Sequence, residues 1–158
     1  TAPGSPEEYF RIKEIAQSLV RDDPTGLGDK GVGILFALRG AAPDAGERTA
    51  LDAGVQRLVR SENSEKVRLA AVETLLEMEK TSTNLAEKAR SREILRGLLS
   101  RETPASLRAA AAAGLSVTTA DLAERAALRE ILQALLWYVD KGHLRWAQSF
   151  DVAINGLS

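Results

Sequence analysis

The chain contains no cysteine and only one histidine. Without cysteine there is no disulfide, no thiolate zinc site and no cysteine nucleophile, and either cytoplasm or periplasm suits it. The histidine, His143, stands in a turn beside Asp140 and Lys141. A general base needs a positioned nucleophile and an orienting group, and a metal ligand needs partners at ligand spacing. Neither surrounds it, so His143 reads as a turn residue. A serine in a glycine-flanked elbow, a phosphate loop and a dinucleotide fingerprint are missing too. Gly26-Leu27-Gly28-Asp29-Lys30-Gly31 is rich in glycine but lacks a preceding strand and the closing Lys-Ser/Thr pair. The expectation is a protein without metal, cofactor or catalytic residues, and not an enzyme.

Aromatic residues make up 4% of the chain, so its core is aliphatic. The longest strongly apolar run, Ala134 to Val139, is far too short to span a bilayer. Charge of one sign is also lacking: 21 basic residues face 22 acidic ones, for a net charge of −1. Nucleic-acid binding needs a clustered cationic surface, so it is not expected. The excess of Arg over Lys (15 against 6) suits a bacterial, high-GC coding bias. The chain starts at Thr1, and its loose leader, residues 1–5, leaves room for an upstream signal peptide or further domain.

What is present is helical periodicity. Ser5, Pro6, Glu7 and Glu8 form a helix start, followed by an apolar stripe of Phe10, Ile12, Ile15, Leu19 and Val20. A second helix runs from about Gly28 to Arg39, its glycines Gly28, Gly31 and Gly33 marking a tight helix contact. Pro43-Asp44 opens a third, Asn63 or Ser64 caps a fourth to about Lys80, and Leu85 to Ser100 forms a fifth. Thr103-Pro104 starts a sixth, Thr119 or Ala120 a seventh through Val139, and an eighth covers Leu144 to about Asn155. No stretch alternates long enough for a strand.

The helices repeat. Glu62-Asn63-Ser64-Glu65-Lys66-Val67-Arg68-Leu69-Ala70-Ala71 returns forty residues on as Glu102-Thr103-Pro104-Ala105-Ser106-Leu107-Arg108-Ala109-Ala110-Ala111. Arg92-Glu93-Ile94-Leu95 returns as Arg129-Glu130-Ile131-Leu132, with looser copies at Lys13–Ala16 and Asp52–Val55. A period near forty with two helices per unit resembles the HEAT-repeat family and its bacterial HEAT-like relatives. The resemblance implies an all-α, right-handed α-solenoid of about four antiparallel helix pairs. It covers one domain over 6–157, with units at about 6–40, 44–80, 84–118 and 120–157. The first unit has Gly28 where the others carry Arg, as suits an end unit.

The resemblance also implies roles for the repeated charges. Acidic turn residues Asp22, Glu62, Glu102 and Asp140 would pair with Arg68, Arg108 and Arg145 in a ladder, chiefly Glu62–Arg68 and Glu102–Arg108. A basic row on the first helices (Lys88, Arg92, Arg96, Arg125, Arg129) reads as a solvated convex face offset by Glu87, Glu93 and Glu130. Second helices would line a concave side, placing Leu69, Ala109 and Trp146 in an apolar row flanked by Lys66, Glu73 and Ser106. Trp137, Tyr138 and Phe150 join Trp146 near the end, where Trp137 and Phe150 read as core.

The function so implied is a non-enzymatic scaffold that binds a protein or peptide on the concave face. Two alternatives stand beside it. The family includes DNA-base glycosylases and bilin lyases; an acidic groove from Glu65, Glu73, Glu77 and Glu79 speaks against the former. The chain also reads as a segment of a longer solenoid, its partner being further repeats of its own chain.

Overall fold

The computed structural model of the protein describes residues 4–22 and 26–140, and from 136 to 140 the helix alone. Among the described residues all regular structure is helical. The α-helices are α1 (Pro6–Asp22), α2 (Gly28–Ala37), α3 (Ala45–Arg57), α4 (Glu65–Thr81), α5 (Leu85–Gly97), α6 (Ala105–Thr118) and α7 (Leu122–Asp140). A short 3₁₀ segment, Leu38–Ala41, extends α2. The expected eighth helix lies outside the described residues. The chain divides into two compact units, Thr1–Leu75 and Leu76–Ser158. Helix α4 runs through the division.

Local chemistry sets the helix starts. A helix leaves its first amides without partners, and a short polar side chain satisfies them. Ser5 accepts from the Glu8 amide (3.2 Å), Asp44 from Glu47 (2.8 Å) and Ser64 from Val67 (3.3 Å). Asn84 accepts from Ala86 and Glu87, and Asp121 from Glu124 (2.8 Å). The last start falls two residues beyond Thr119, because Asp121 has the side chain that reaches the amide. α6 follows Pro104 and has no side-chain cap.

In the first unit Tyr9, Ala16, Leu35, Leu38, Leu51 and Val55 make the core, with Ile12, Val20, Ile34 and Leu58 packed around it. The buried stripe of α1 is therefore rotated from the expected one. Tyr9, Ile12, Ala16 and Val20 share a face, whereas Phe10 and Ile15 are 48% and 54% exposed. Of the three glycines in α2, Gly31 makes the tight contact. A Cβ there would lie 2.8 Å from the Ala16 carbonyl oxygen and 2.8 Å from Val20 Cγ2. Gly33 has nothing within 4 Å.

In the second unit α6 packs against α5 and α7. Its run Ala109 to Ala113 is buried, as are Ser106, Leu107 and Leu115. A helix apolar on nearly every side belongs in an interior. Gly114 keeps the approach close: a Cβ there would fall 2.0 Å from Leu76 Cδ2.

Burial repeats as the sequence does. Ala16, Val55, Leu95 and Leu132, aligned in the first-helix copies, are each 0% exposed. In the second helices the aligned triads Gly31-Val32-Leu35, Ala71-Val72-Leu75 and Ala111-Ala112-Leu115 are buried at every position. The period is thus a property of the packing.

Gly31 and Gly33 give opposite expectations. Gly31→Ala gains helix propensity but presses on backbone that cannot swing away, so urea denaturation should show a net loss of about 1–3 kcal/mol. Gly33→Ala should gain up to about 1 kcal/mol in the same measurement. A gain at Gly31 would contradict the close contact.

Candidate functional site

The six residues expected on a binding face separate sharply. Lys66 is exposed and Leu69 and Glu73 are half-buried, all on α4. Ser106 and Ala109, on α6, are only 6% and 1% exposed. These two are corrected from binding candidates to packing residues, because α6 is buried on nearly every side. Trp146 lies outside the described residues, with His143, Arg145 and Phe150; for Trp137, Tyr138 and Asp140 only the helix is described.

Lys66 is already engaged. Its Nζ donates to the Gly26 carbonyl (2.6 Å) and lies 3.4 Å from Asp29 Oδ1. Gly26 holds φ at +73°, a left-handed turn that glycine adopts without a Cβ penalty. Burial pushes the Asp29 carboxyl up, but the Lys66 ammonium and the Lys30 amide outweigh it and hold it below the usual carboxylate range. Lys66 therefore ties the start of α4 to Gly26 and the first turn of α2.

The expected ladder does not form among the described residues. Arg68 donates its Nε–H to the Val59 carbonyl (2.8 Å), just past the end of α3, and Glu62 is exposed. A helix end leaves carbonyls without partners, and Arg68, in the first turn of the next helix, reaches one of them. Glu102 is exposed and makes no ion pair with Arg108. Asp22 bonds Arg21 (3.2 Å) and Ser18 (3.2 Å) on its own helix.

Charge pairing occurs at other repeating positions. Arg39, after α2, pairs with Asp52 on α3. Forty residues on, Glu79 on α4 pairs with Arg92 on α5 (3.5 Å). The positions are the same and the signs are exchanged. Lys13 and the Tyr9 hydroxyl both reach Glu47. At the Glu47 register, Glu124 on α7 receives Arg96 through two bonds (3.1 and 3.0 Å) and Arg92 at 3.8 Å. Arg92 also donates to the Thr118 hydroxyl (3.1 Å) and carbonyl (3.3 Å). Arg92 is thus turned inward from the supposed solvated face, and Glu79, at 5% exposure, is no part of an acidic groove.

Electrostatics follow the geometry. Burial, then the Glu47 charge, raise the Tyr9 hydroxyl to about 12. The hydrogen bond from Arg96 holds Glu124 below the usual carboxylate range, and Glu124 in turn raises Arg96. A carboxylate so stabilised is a weak proton acceptor near neutrality. Among the described residues no group of three or more His, Asp or Glu side chains is placed to hold a metal ion. No helix is long and apolar enough to cross a membrane.

Each unit also carries an open cleft. One of about 420 Å³ in the first unit is bordered by Gln17, Arg57, Leu58, Glu62 and Asn63. Asn63 donates to the Leu58 carbonyl (3.2 Å) there. The other, about 460 Å³, lies in the second unit between α6 and α7 and is bordered by Arg108 and Glu130. Compared with protein families, curated proteins and solved structures, the chain matches none.

The Arg96–Glu124 pair makes stability depend on acid. Because folding lowers the Glu124 pKa, the unfolded chain binds the proton first, and the contribution is full above the ordinary Glu value. It is lost as pH falls through the lower folded value. Glu124→Gln should cost about 1 kcal/mol at neutral pH, the partial exposure of Arg96 limiting the loss. Melting of both proteins from neutral pH down to about 3 should show the difference shrinking with acid. A constant difference would mean the ion pair contributes nothing.

Proposed function

We propose that the protein is a non-enzymatic interaction scaffold, a HEAT-like α-solenoid that binds a protein or peptide along its second helices. The observation that carries this reading is the recurrence of the buried triad at forty-residue spacing in α2, α4 and α6. A stack of such helix pairs offers an extended curved surface and needs no enclosed pocket. The pairs would run antiparallel with a right-handed turn, as the family resemblance implies. Leu69 and Glu73 on α4, with Lys66 at its first turn, are the binding face left after Ser106 and Ala109 are assigned to packing. By its register with Leu69 in the sequence, Trp146 would extend that face.

The test is quantitative capture from native lysate by the full chain and by a Leu69→Glu/Trp146→Glu variant. An Arg11→Glu variant on the exposed side of α1 serves as control. The expected outcome is one partner at near-stoichiometric yield, kept by the control and reduced at least about tenfold by the double variant, with helicity unchanged. Equal capture by all three would reject the face.

A further inference from the structure

The first helices share an anchor pair spaced four residues apart, and one copy breaks it. Leu51 with Val55 in α3 and Leu128 with Leu132 in α7 are buried aliphatic pairs. In α1 the half-buried Ile12 precedes the buried Ala16. The aligned pair in α5 is Ser91 with Leu95, each 0% exposed. A serine thus stands at a leucine position, and its hydroxyl has no hydrogen-bond partner among the described residues. No other residue of α5 is fully buried.

Burying a hydroxyl without a partner costs free energy, and serine recovers little of it through apolar burial. Arginines hold α5 instead. Arg92 reaches Glu79 on α4 (3.5 Å), the Thr118 hydroxyl at the end of α6 (3.1 Å) and Glu124 on α7 (3.8 Å). Arg96 adds two bonds to Glu124 (3.1 and 3.0 Å). The Arg96 side chain is 47% exposed, so dissolved ions screen that pair.

We propose that α5 is a latched helix, which opens from the second unit as a local step while α6 and α7 stay folded, with Arg92 and Arg96 as the latch. Local opening is drawn from segments with few buried apolar anchors. Within α5 that anchor is Leu95 alone, whereas α6 buries eight residues. Opening uncovers the side of α6 against which α5 packs. Because α6 is apolar on nearly every side, the opened form presents aliphatic surface that the closed form seals. The latch is therefore a salt-dependent gate on the surface of α6, whatever partner the scaffold binds.

The experiment is native-state hydrogen exchange of the full chain by NMR in urea below the unfolding transition. Protection of the amides at 91–95 should be at least about tenfold below that at 109–113 and 128–132. Its dependence on urea should also be shallower, since a local opening exposes little surface. Raising sodium chloride from about 0.05 to 0.5 M should lower α5 protection about threefold further. Ser91→Ala removes the unpaired hydroxyl and should raise it about tenfold. Arg92→Gln should lower it about tenfold. Should Arg92→Gln fail to fold, Arg96→Gln carries the test with an expected loss of about threefold. The proposal is overturned if the α5 amides share the urea dependence of the α6 amides, or if neither salt nor an arginine variant lowers their protection. Unchanged protection in Ser91→Ala would equally overturn it.

Discussion

Close helix approach at small residues is the constraint on which the rest depends. The first member of each buried triad is Gly31, Ala71 or Ala111, and none carries a side chain larger than methyl. At Gly31 the space for a Cβ is already taken by the Ala16 carbonyl oxygen, so backbone meets backbone with nothing between. Small residues let apolar neighbours such as Val32 and Leu35 interlock, and dense packing is what makes burial worth its conformational cost. With 4% aromatics the chain has few bulky side chains to span a wider gap. Aliphatic composition and close approach are therefore one property seen at two levels.

Most of the helical plan was legible in the sequence because its signals are local. Ser5, Asp44, Ser64 and Asn84 stand at helix starts, and their side chains meet the amides that such residues satisfy. Facing was legible where a period of forty could be compared, as at Val55 and Leu95. It was misread in α1, where Phe10 and Ile15 look apolar enough to be core. There Tyr9, which buries its ring and keeps its hydroxyl on Glu47, takes the inward position. The charged site was harder. Glu62 and Arg68 recur with Glu102 and Arg108, and recurrence alone does not tell an ion pair from an arginine that reaches a helix-end carbonyl. That choice depends on where α3 stops, which is a tertiary fact. The same limit applies to Ser106 and Ala109, whose burial depends on what surrounds α6. The better signal was present at 39, 52, 79 and 92, but the signs are exchanged between copies, and a search for identical residues passes over it.

Where copies diverge, the divergence is not neutral. Lys66 uses its amine to hold the Gly26 turn, and the aligned Ser106 is buried instead. Ser64 and Pro104 occupy one register but meet the aligned amides differently: Val67 donates to the Ser64 hydroxyl and Leu107 to the Pro104 carbonyl. A residue retained at the structural period is accounted for by packing; Arg108 has abandoned the internal bond that Arg68 makes at that period. By that criterion the start of α6 stands apart from the start of α4, although the buried triads behind them are alike.

The exchange of sign between Arg39–Asp52 and Glu79–Arg92 bears on how a repetitive chain chooses its partners. Aligned copies bury similar side chains, so hydrophobic packing alone discriminates poorly between correct pairing and pairing one repeat out of step. The charges discriminate well. A slip of one repeat would set Arg39 against Arg92 and Glu79 against Asp52, and both are like-charge contacts. The Asp52 and Glu79 side chains are 16% and 6% exposed, so solvent screens such contacts weakly. Juxtaposed like charges in that setting cost several kcal/mol, whereas each correct pair need only be mildly favourable to serve. The value of the pairs thus lies less in the stability of the native arrangement than in the instability of the shifted one. Two copies with the same sign order would lose this discrimination, since Arg39 would then meet an acid in either register.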